Sequence, residues 1–168
     1  MSRWLASGSV VVLLAFGVSR PVVAQGSLAP PPRIPYGLAI STEIAKSATA
    51  AAIVEARRHG WTMAIAIVDP GGYLVYFEKM QDTQTGSVDL AIEKARTSAL
   101  FRRPTKLFQD AVAAGGDGLR VLRLTGTIPN EGGIPILADG KVIGAIGVSG
   151  GSVDQDGHVA RAGAATVK

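Results

Sequence analysis

The chain has 168 residues, of which 17 are lysine or arginine and 13 are aspartate or glutamate, so its net charge at pH 7 is +4. This length fits a single domain with its own hydrophobic core. The chain contains no cysteine, which excludes a disulfide framework, a zinc–thiolate site and a cysteine nucleophile. Nucleic-acid binding is not indicated either, because the basic residues form no arginine-rich run and no patch interleaved with aromatic residues.

The N-terminal segment has the features of a secretory signal peptide. Arg3 precedes an apolar run from Trp4 to Val18, and Val22–Ala24 supply small residues for a cleavage site. An uncleaved anchor is the alternative, but the run is shorter than the roughly 20 residues of a membrane-spanning helix. We therefore predict that residues 1–24 are removed on export to the periplasm or the medium, with no stable membrane insertion afterwards. Cleavage would leave 15 basic and 13 acidic residues.

The proline-rich segment 25–36 favours an extended polyproline conformation and is predicted to be a linker. The folded domain is predicted over residues 37–168. Its first helix is expected over Thr42–His59, with Ser41 as the N-cap and a face of small residues that allows close packing. Gly60 is placed to end this helix.

Two apolar runs between Trp61 and Phe77 flank the turn sequence Asp69–Gly72, which predicts a first β-hairpin. A polar loop follows the hairpin. Ser87 is then a good N-cap for a second helix, predicted over Val88–Phe101.

Thr105 is predicted to cap a shorter third helix, which the glycine-rich segment Gly115–Gly118 ends. The next segment, Leu119–Leu124, fits either a strand or irregular structure. A last helix follows near the C-terminus, with Asp154 or Asp156 as its expected N-cap.

A second β-hairpin is predicted within Glu131–Gly151. Its turn is Asp139-Gly140, a pair that favours a type I′ turn between two apolar runs. The strand Lys141–Ser149 is apolar on both faces and carries glycine or alanine where bulk is expected, which predicts burial and close approach on both sides. The approach Glu131–Gly133 combines a carboxylate with backbone N–H groups that can hold an anionic ligand.

The element order predicts an α/β (α+β) domain in which two hairpins form a central antiparallel sheet with helices packed on it. This architecture is similar to profilin-like and PAS-like scaffolds, which serve as sensor and ligand-binding modules. A serine hydrolase is not indicated, because the chain lacks the Gly-x-Ser-x-Gly motif. A phosphate-binding loop is not indicated either, because the glycines of Gly144–Gly150 lie inside a strand and lack a Gly-Lys-Ser/Thr ending.

The chain has two histidines, His59 and His158, which excludes a multi-histidine metal centre within one chain and leaves a single axial ligand to heme open. His59 stands four residues after Glu55, so pairing at the helix C-terminus is the alternative to a ligand role. His158 is either a solvent-facing polar residue or a ligand. Both histidines are kept as candidate metal ligands.

Polar residues beside loops, helix ends or the glycine-rich hairpin are the candidates for a concave site. They are Asp82, Lys94, Arg102, Arg103, Glu131 and Asp156. Lys94 lies in the middle of an alanine-rich helix, where it either reaches into a cleft to bind a carboxylate or propionate or belongs to a solvated Glu93–Lys94 face.

Several short motifs together resemble the GlcG/HbpS family, whose domain also occurs at the C-terminus of PduO-type proteins. They are Ile67–Gly72, Met80–Asp82, Glu93–Ala95, Pro104-Thr105, Gly132–Ile136, Val142–Gly150 and Ala160–Gly163. The resemblance covers roughly Leu38 to Ala165. It implies a profilin-like fold, homo-oligomeric assembly and, for some members, heme binding. An exported branch of the family is associated with heme sensing and degradation and with iron binding at a surface carboxylate motif.

The resulting hypothesis is an exported, oligomeric heme-binding protein whose cleft lies between Glu131–Pro135 and the Val88–Arg103 helix. The residues expected to bind the cofactor are Lys94, Arg102, Arg103, Glu131, Gly132, Gly133 and Pro135. A second hypothesis is an enzyme acting on a 2-oxo or hydroxy acid, with Lys94 and Glu131 as acid/base candidates. A third is a sensor or scaffold module without a ligand of its own.

Overall fold

The computed structural model describes residues 34–167, so the predicted signal peptide and most of the predicted linker lie outside the described residues. The elements follow the chain as α1 (Thr42–Arg58), β1 (Ala64–Val68), β2 (Leu74–Lys79), α2 (Ser87–Phe101), α3 (Lys106–Ala114), a 3₁₀ helix (Gly116–Arg123), β3 (Gly133–Ala138), β4 (Lys141–Ser149) and α4 (Val153–Ala164). Among these elements, no helix has both the length and the apolar character needed to cross a membrane.

The four strands form one antiparallel sheet in the order β2-β1-β4-β3. Both predicted hairpins are confirmed, and β1 and β4 join them in the middle of the sheet. Asp139 and Gly140 have φ angles of 49° and 71°, as a type I′ turn requires. Strand β4 is buried along both faces after Lys141. A Cβ added to Gly147 would collide with the backbone oxygen of Ala91, so glycine is required for α2 to lie this close.

Successive side chains of a strand point to opposite faces of the sheet, so the core has two layers. The layer between the sheet and α2 consists mainly of small side chains: Ala64, Ala66 and Ala145 come from the strands, and Ala91, Ala95 and Ala99 come from α2. The opposite face carries larger ones, including Ile65, Ile67, Ile146 and Val148, and packs against α1 and α4. Burial of each isoleucine side chain contributes roughly 1.5–3 kcal/mol. The small-residue face therefore sets how close α2 lies, and the other face contributes more of the hydrophobic stabilisation.

The predicted N-cap residues Ser41 and Thr105 stand at the cap positions of α1 and α3, whereas those predicted for α2 and α4 do not. Ser41 caps α1 by accepting a hydrogen bond from the backbone N–H of Ile44 at 3.3 Å, as predicted. Ser87 is the first residue of α2 rather than its cap, and its hydroxyl lies 3.3 Å from that of Ser149 on β4. The last helix is capped by Ser152, not by Asp154 or Asp156, because Ser152 forms a reciprocal capping box with Gln155.

Two further segments differ from the sequence-based expectation. Leu119–Leu124 forms no strand, since most of it lies in the 3₁₀ helix, which packs back on α3 with Gly118 against the backbone of Ala111. The linker prediction overlaps the folded domain at its end. The carbonyl of Pro35 accepts a hydrogen bond from the N–H of Val142 at 2.9 Å, and the N–H of Gly37 donates to the carbonyl of Val142 at 2.8 Å. Hydrogen bonding to the sheet thus begins before residue 37.

Candidate functional site

Lys94 forms a buried ion pair with Asp156 beneath the end of β4. Its side chain is 1% exposed, and Nζ lies 2.6 Å from Oδ2 of Asp156, whose side chain is 3% exposed. Nζ also donates a hydrogen bond to the carbonyl of Val148 at 3.1 Å. The other carboxylate oxygen of Asp156 accepts the N–H of Gly151 at 3.0 Å. The pair therefore ties α2, β4 and α4 together.

The position of Asp156 follows from where α4 begins. With Ser152 as the N-cap, Asp156 lies one turn into the helix on its buried side. Burial raises the pKa of Asp156, while the Lys94 ammonium and the hydrogen bonds from Lys94 and Gly151 oppose that rise. A buried ion pair offsets the desolvation of both groups only where its geometry is good and further hydrogen bonds are present, and here the carbonyl of Val148 and the N–H of Gly151 supply two of them.

Glu131 lies two residues before β3, is buried beside this pair and contacts α4. Its Oε1 accepts a hydrogen bond from Nη1 of Arg161 at 2.7 Å, and its backbone N–H donates to Oε1 of Gln109 at 2.8 Å. Oε2 is buried and has no hydrogen-bond partner among the described residues. The carboxylate fits here because α4 carries Gly157 at this point, where a Cβ would collide with it.

The two glycines after Glu131 are enclosed by the same elements. Gly132 has a φ of +126°, and a Cβ there would lie 3.0 Å from the Lys94 side chain. The N–H of Gly133 donates to the hydroxyl of Thr105 at 2.9 Å, and the N–H of Thr105 donates to the carbonyl of Gly133 at 3.0 Å. The N–H of Gly133, which was expected to be available to an anionic ligand, is therefore already bonded within the protein. Because the hydroxyl of Thr105 accepts this hydrogen bond from Gly133, it makes no capping hydrogen bond to the start of α3.

Arg102 and Arg103 lie at the C-terminal end of α2, about 12 Å along the helix axis from Lys94. Arg102 has a left-handed backbone, donates to the carbonyl of Ile34 at 2.8 Å and places its guanidinium 5.0 Å from the ring centre of Tyr36. The guanidinium of Arg103 lies 5.6 Å from the ring centre of Phe108.

The structure thus gathers only part of the predicted set. Lys94, Glu131 and Gly132 meet at the α2–β4–α4 junction, whereas Arg102 and Arg103 lie apart from it. Pro135 belongs to β3, where it pairs with Ala145. That these residues contact a ligand stays a prediction.

Two contacts were not predicted from the sequence: Arg161 is the partner of Glu131, and Glu55 is shared by both histidines. Nε2 of His59 lies 3.2 Å from Oε1 of Glu55, as the four-residue spacing predicted. His158 also contacts that oxygen, at 2.7 Å, across 103 residues of sequence. No local pattern signals such distant pairs.

Comparison with known proteins agrees with this architecture. A family described as haem-degrading protein HbpS-like matches residues 40–165, which is most of the chain. The chain belongs to the HbpS-like family. Its resemblance to the GlcG/HbpS family is thereby confirmed, together with the α+β fold of four antiparallel strands.

Individual relatives support the family membership. Protein GlcG of Escherichia coli K12 is 38% identical over 110 residues, which cover 66% of this chain and 81% of GlcG. A double mutant of HbpS from Streptomyces reticuli superposes with a TM-score of 0.72 at 29% identity, covering 90% of this chain and 99% of HbpS. The PduOC:heme complex gives a TM-score of 0.70 at 29% identity, covering 78% of this chain and 96% of PduOC.

Proposed function

We propose that this HbpS-like protein is an exported heme-binding protein that acts in heme sensing or degradation. The observation that carries the proposal is the likeness to PduOC, a relative of the same fold that was solved with heme. The description of the matched family as haem-degrading supports the same ligand. When bound, heme would supply the iron redox chemistry that degradation requires.

A heme-binding surface needs apolar area for the macrocycle and cations for the two propionates. Four large apolar residues are exposed on α3 and the 3₁₀ segment: Leu107, Leu119, Leu122 and Leu124, at 54%, 48%, 61% and 45%. Exposed apolar groups concentrated in one segment favour a binding role. Arg103 precedes α3, and Arg120 and Arg123 lie on the 3₁₀ helix. This part of the chain therefore fits the chemistry of heme.

The junction around Lys94 fits propionates less well. The ammonium of Lys94 and the carboxylate of Glu131 are both buried and engaged with partners on α4. We therefore keep Arg102 and Arg103 as the propionate candidates. The two histidines direct Nε2 at Glu55, so either would have to leave that contact to bind iron.

Titration of the purified protein with hemin tests the proposal. We expect saturable binding with a shift of the Soret band. Arg103→Ala should weaken binding about tenfold or more, since a charge-assisted hydrogen bond contributes roughly 1.5–3 kcal/mol. Arg57→Ala, an exposed arginine at the end of α1, is the matched control and should bind like the unaltered protein. A titration without a Soret shift contradicts heme binding.

Export and assembly need separate measurements. We expect the protein in the periplasmic fraction or the medium, with its N-terminus near residue 25. Light scattering should give a mass of several chains, because the exposed leucines also suit contact between copies. An intact N-terminus in the cytoplasmic fraction would contradict export, and a monomeric mass would contradict assembly.

The enzyme hypothesis gains no support from the geometry. An acid/base pair must reach a substrate, yet the side chains of Lys94 and Glu131 are 1% and 3% exposed. The ligand-free scaffold is the alternative that a negative hemin titration would favour.

A further inference from the structure

A second cluster of chemically active side chains lies where α1 and α4 pack together, away from the Lys94 junction. Glu55 lies on the last turn of α1, His59 is the C-cap of that helix, and His158 reaches them from α4. The two helices can approach closely because residue 163 of α4 is glycine. A Cβ at this position would lie only 2.8 Å from the carbonyl oxygen of Ala48 on α1. The fold, rather than a local motif, assembles the cluster.

From this arrangement we infer a site for a divalent transition-metal ion of the zinc type, bound by Glu55, His59 and His158. The sequence-based exclusion of a multi-histidine centre is thereby corrected, because a carboxylate joins the two histidines as the third ligand. One ligand atom from each residue lies within 4.8 Å of the other two. Both imidazoles direct Nε2 at the same carboxylate oxygen, at 3.2 and 2.7 Å. Tetrahedral zinc with bonds near 2.0–2.1 Å separates its donors by about 3.3 Å, so small side-chain rotations open the cluster around an ion.

The donor set matches the chemistry of such an ion. Imidazole nitrogen suits zinc, copper and nickel, and two histidines with one carboxylate leave a fourth position for water or a substrate. Exposure of the side chains is 43% for His59, 49% for His158 and 17% for Glu55, so an ion can enter from solvent. The site is therefore of the open kind.

Surrounding groups hold the ligands in place. The second carboxylate oxygen of Glu55 accepts a hydrogen bond from Nη1 of Arg58 at 3.2 Å, which leaves the first oxygen for the ion. The ring of Trp61 stacks on His59 at 4.4 Å with an interplanar angle of 16°, and it meets His158 edge-on at 6.0 Å. Partners of this kind orient the ligands of metal sites.

The test is a calorimetric titration of the chelator-treated full chain with Zn²⁺. We expect one saturable site per chain, with at least a tenfold loss of affinity in each of Glu55→Gln, His59→Ala and His158→Ala. Zinc should also raise the Tm of the unaltered protein more than that of these variants. Asp110→Asn is the matched control, because Asp110 is an exposed carboxylate in an i, i+4 pair with Lys106 on α3.

Substitution of the histidines by glutamine guards against loss of folding, since glutamine keeps a polar group at each position. The proposal is overturned if the unaltered protein shows no saturable zinc binding up to about 1 mM, a free energy of roughly −4 kcal/mol. It is equally overturned if both histidine variants bind zinc as the Asp110→Asn control does. An unchanged hemin titration of the same variants would show that the ion site is separate from heme.

Discussion

Replacing Lys94 by methionine probes the buried ion pair most directly. Methionine keeps most of the apolar stem and removes the ammonium that faces Asp156 at 2.6 Å. Breaking a buried pair by removing one partner costs about 3–5 kcal/mol, because the remaining charge stays in the interior without compensation. The carbonyl of Val148 also loses its donor. We expect the free energy of unfolding to fall by about that amount, which is a large part of the stability of a typical domain.

Urea denaturation followed by circular dichroism measures this loss. The matched control is Lys106→Met, because Lys106 pairs with Asp110 at the same 2.6 Å but both side chains are about half exposed. Solvent screens that pair, so the control should change stability far less. The double variant Lys94→Met/Asp156→Leu should recover most of the loss, since it leaves no unpaired charge. A loss below about 1 kcal/mol in Lys94→Met would refute the reasoning.

The pH dependence supplies a second check on the same variant. Burial raises the pKa of Asp156 in the folded state, so protonation of this carboxyl favours folding as the pH falls. Without the Lys94 ammonium, the charged form of Asp156 becomes still less favourable. The deficit of Lys94→Met should therefore be smaller at low pH and grow as the pH rises through the folded-state pKa. A deficit that is the same across this range would contradict the role assigned to Asp156.

Two further predictions concern α4 and α1. Gly157→Ala should destabilise the protein by about 1–3 kcal/mol in urea denaturation, because its Cβ would displace the Glu131 carboxylate, whereas Gly86→Ala, with open space around it, should not. The pKa of Glu55 is lowered in the folded protein, chiefly by the hydrogen bond from His158. The ionised Glu55 carboxylate therefore stabilises the fold above the ordinary pKa of glutamate, and this stabilisation is lost as the pH falls through the lowered, folded-state pKa. Glu55→Gln should flatten the pH dependence of Tm in that window, and an unchanged profile would contradict the interpretation.

The local structure of this protein follows from its sequence where one or two residues decide the backbone. Asp139-Gly140 specifies a type I′ turn because both residues adopt positive φ. Ser41 caps α1 because its hydroxyl reaches the backbone of Ile44. The glycines of β4 signal close approach, and the backbone of α2 indeed lies against Gly147. The turn and the cap are decided within a few residues, which is why the sequence predicts them.

At the start of α4 several residues compete for one role. Ser152, Asp154 and Asp156 can each cap the start of a helix. Ser152 takes the role through its capping box with Gln155, which leaves Asp156 free to turn inward. The Ser-x-x-Gln spacing of Ser152 and Gln155 is the local signal that favours Ser152. The buried contact of Asp156 with Lys94, by contrast, is set only in the folded protein.

By itself the sequence determined the two hairpins, the helices around them and the family resemblance, because periodicity, turn residues and short motifs are local properties. The tertiary structure alone decided which side chains meet. It pairs β1 with β4 and Lys94 with Asp156, residues 62 positions apart, and it brings His158 to Glu55. The packing contacts depend on glycine and alanine at the helix and strand faces, which let the elements lie close together. The contact of Lys94 with Asp156 depends on the free-energy cost of leaving a buried charge unpaired. Both are properties of the assembled core.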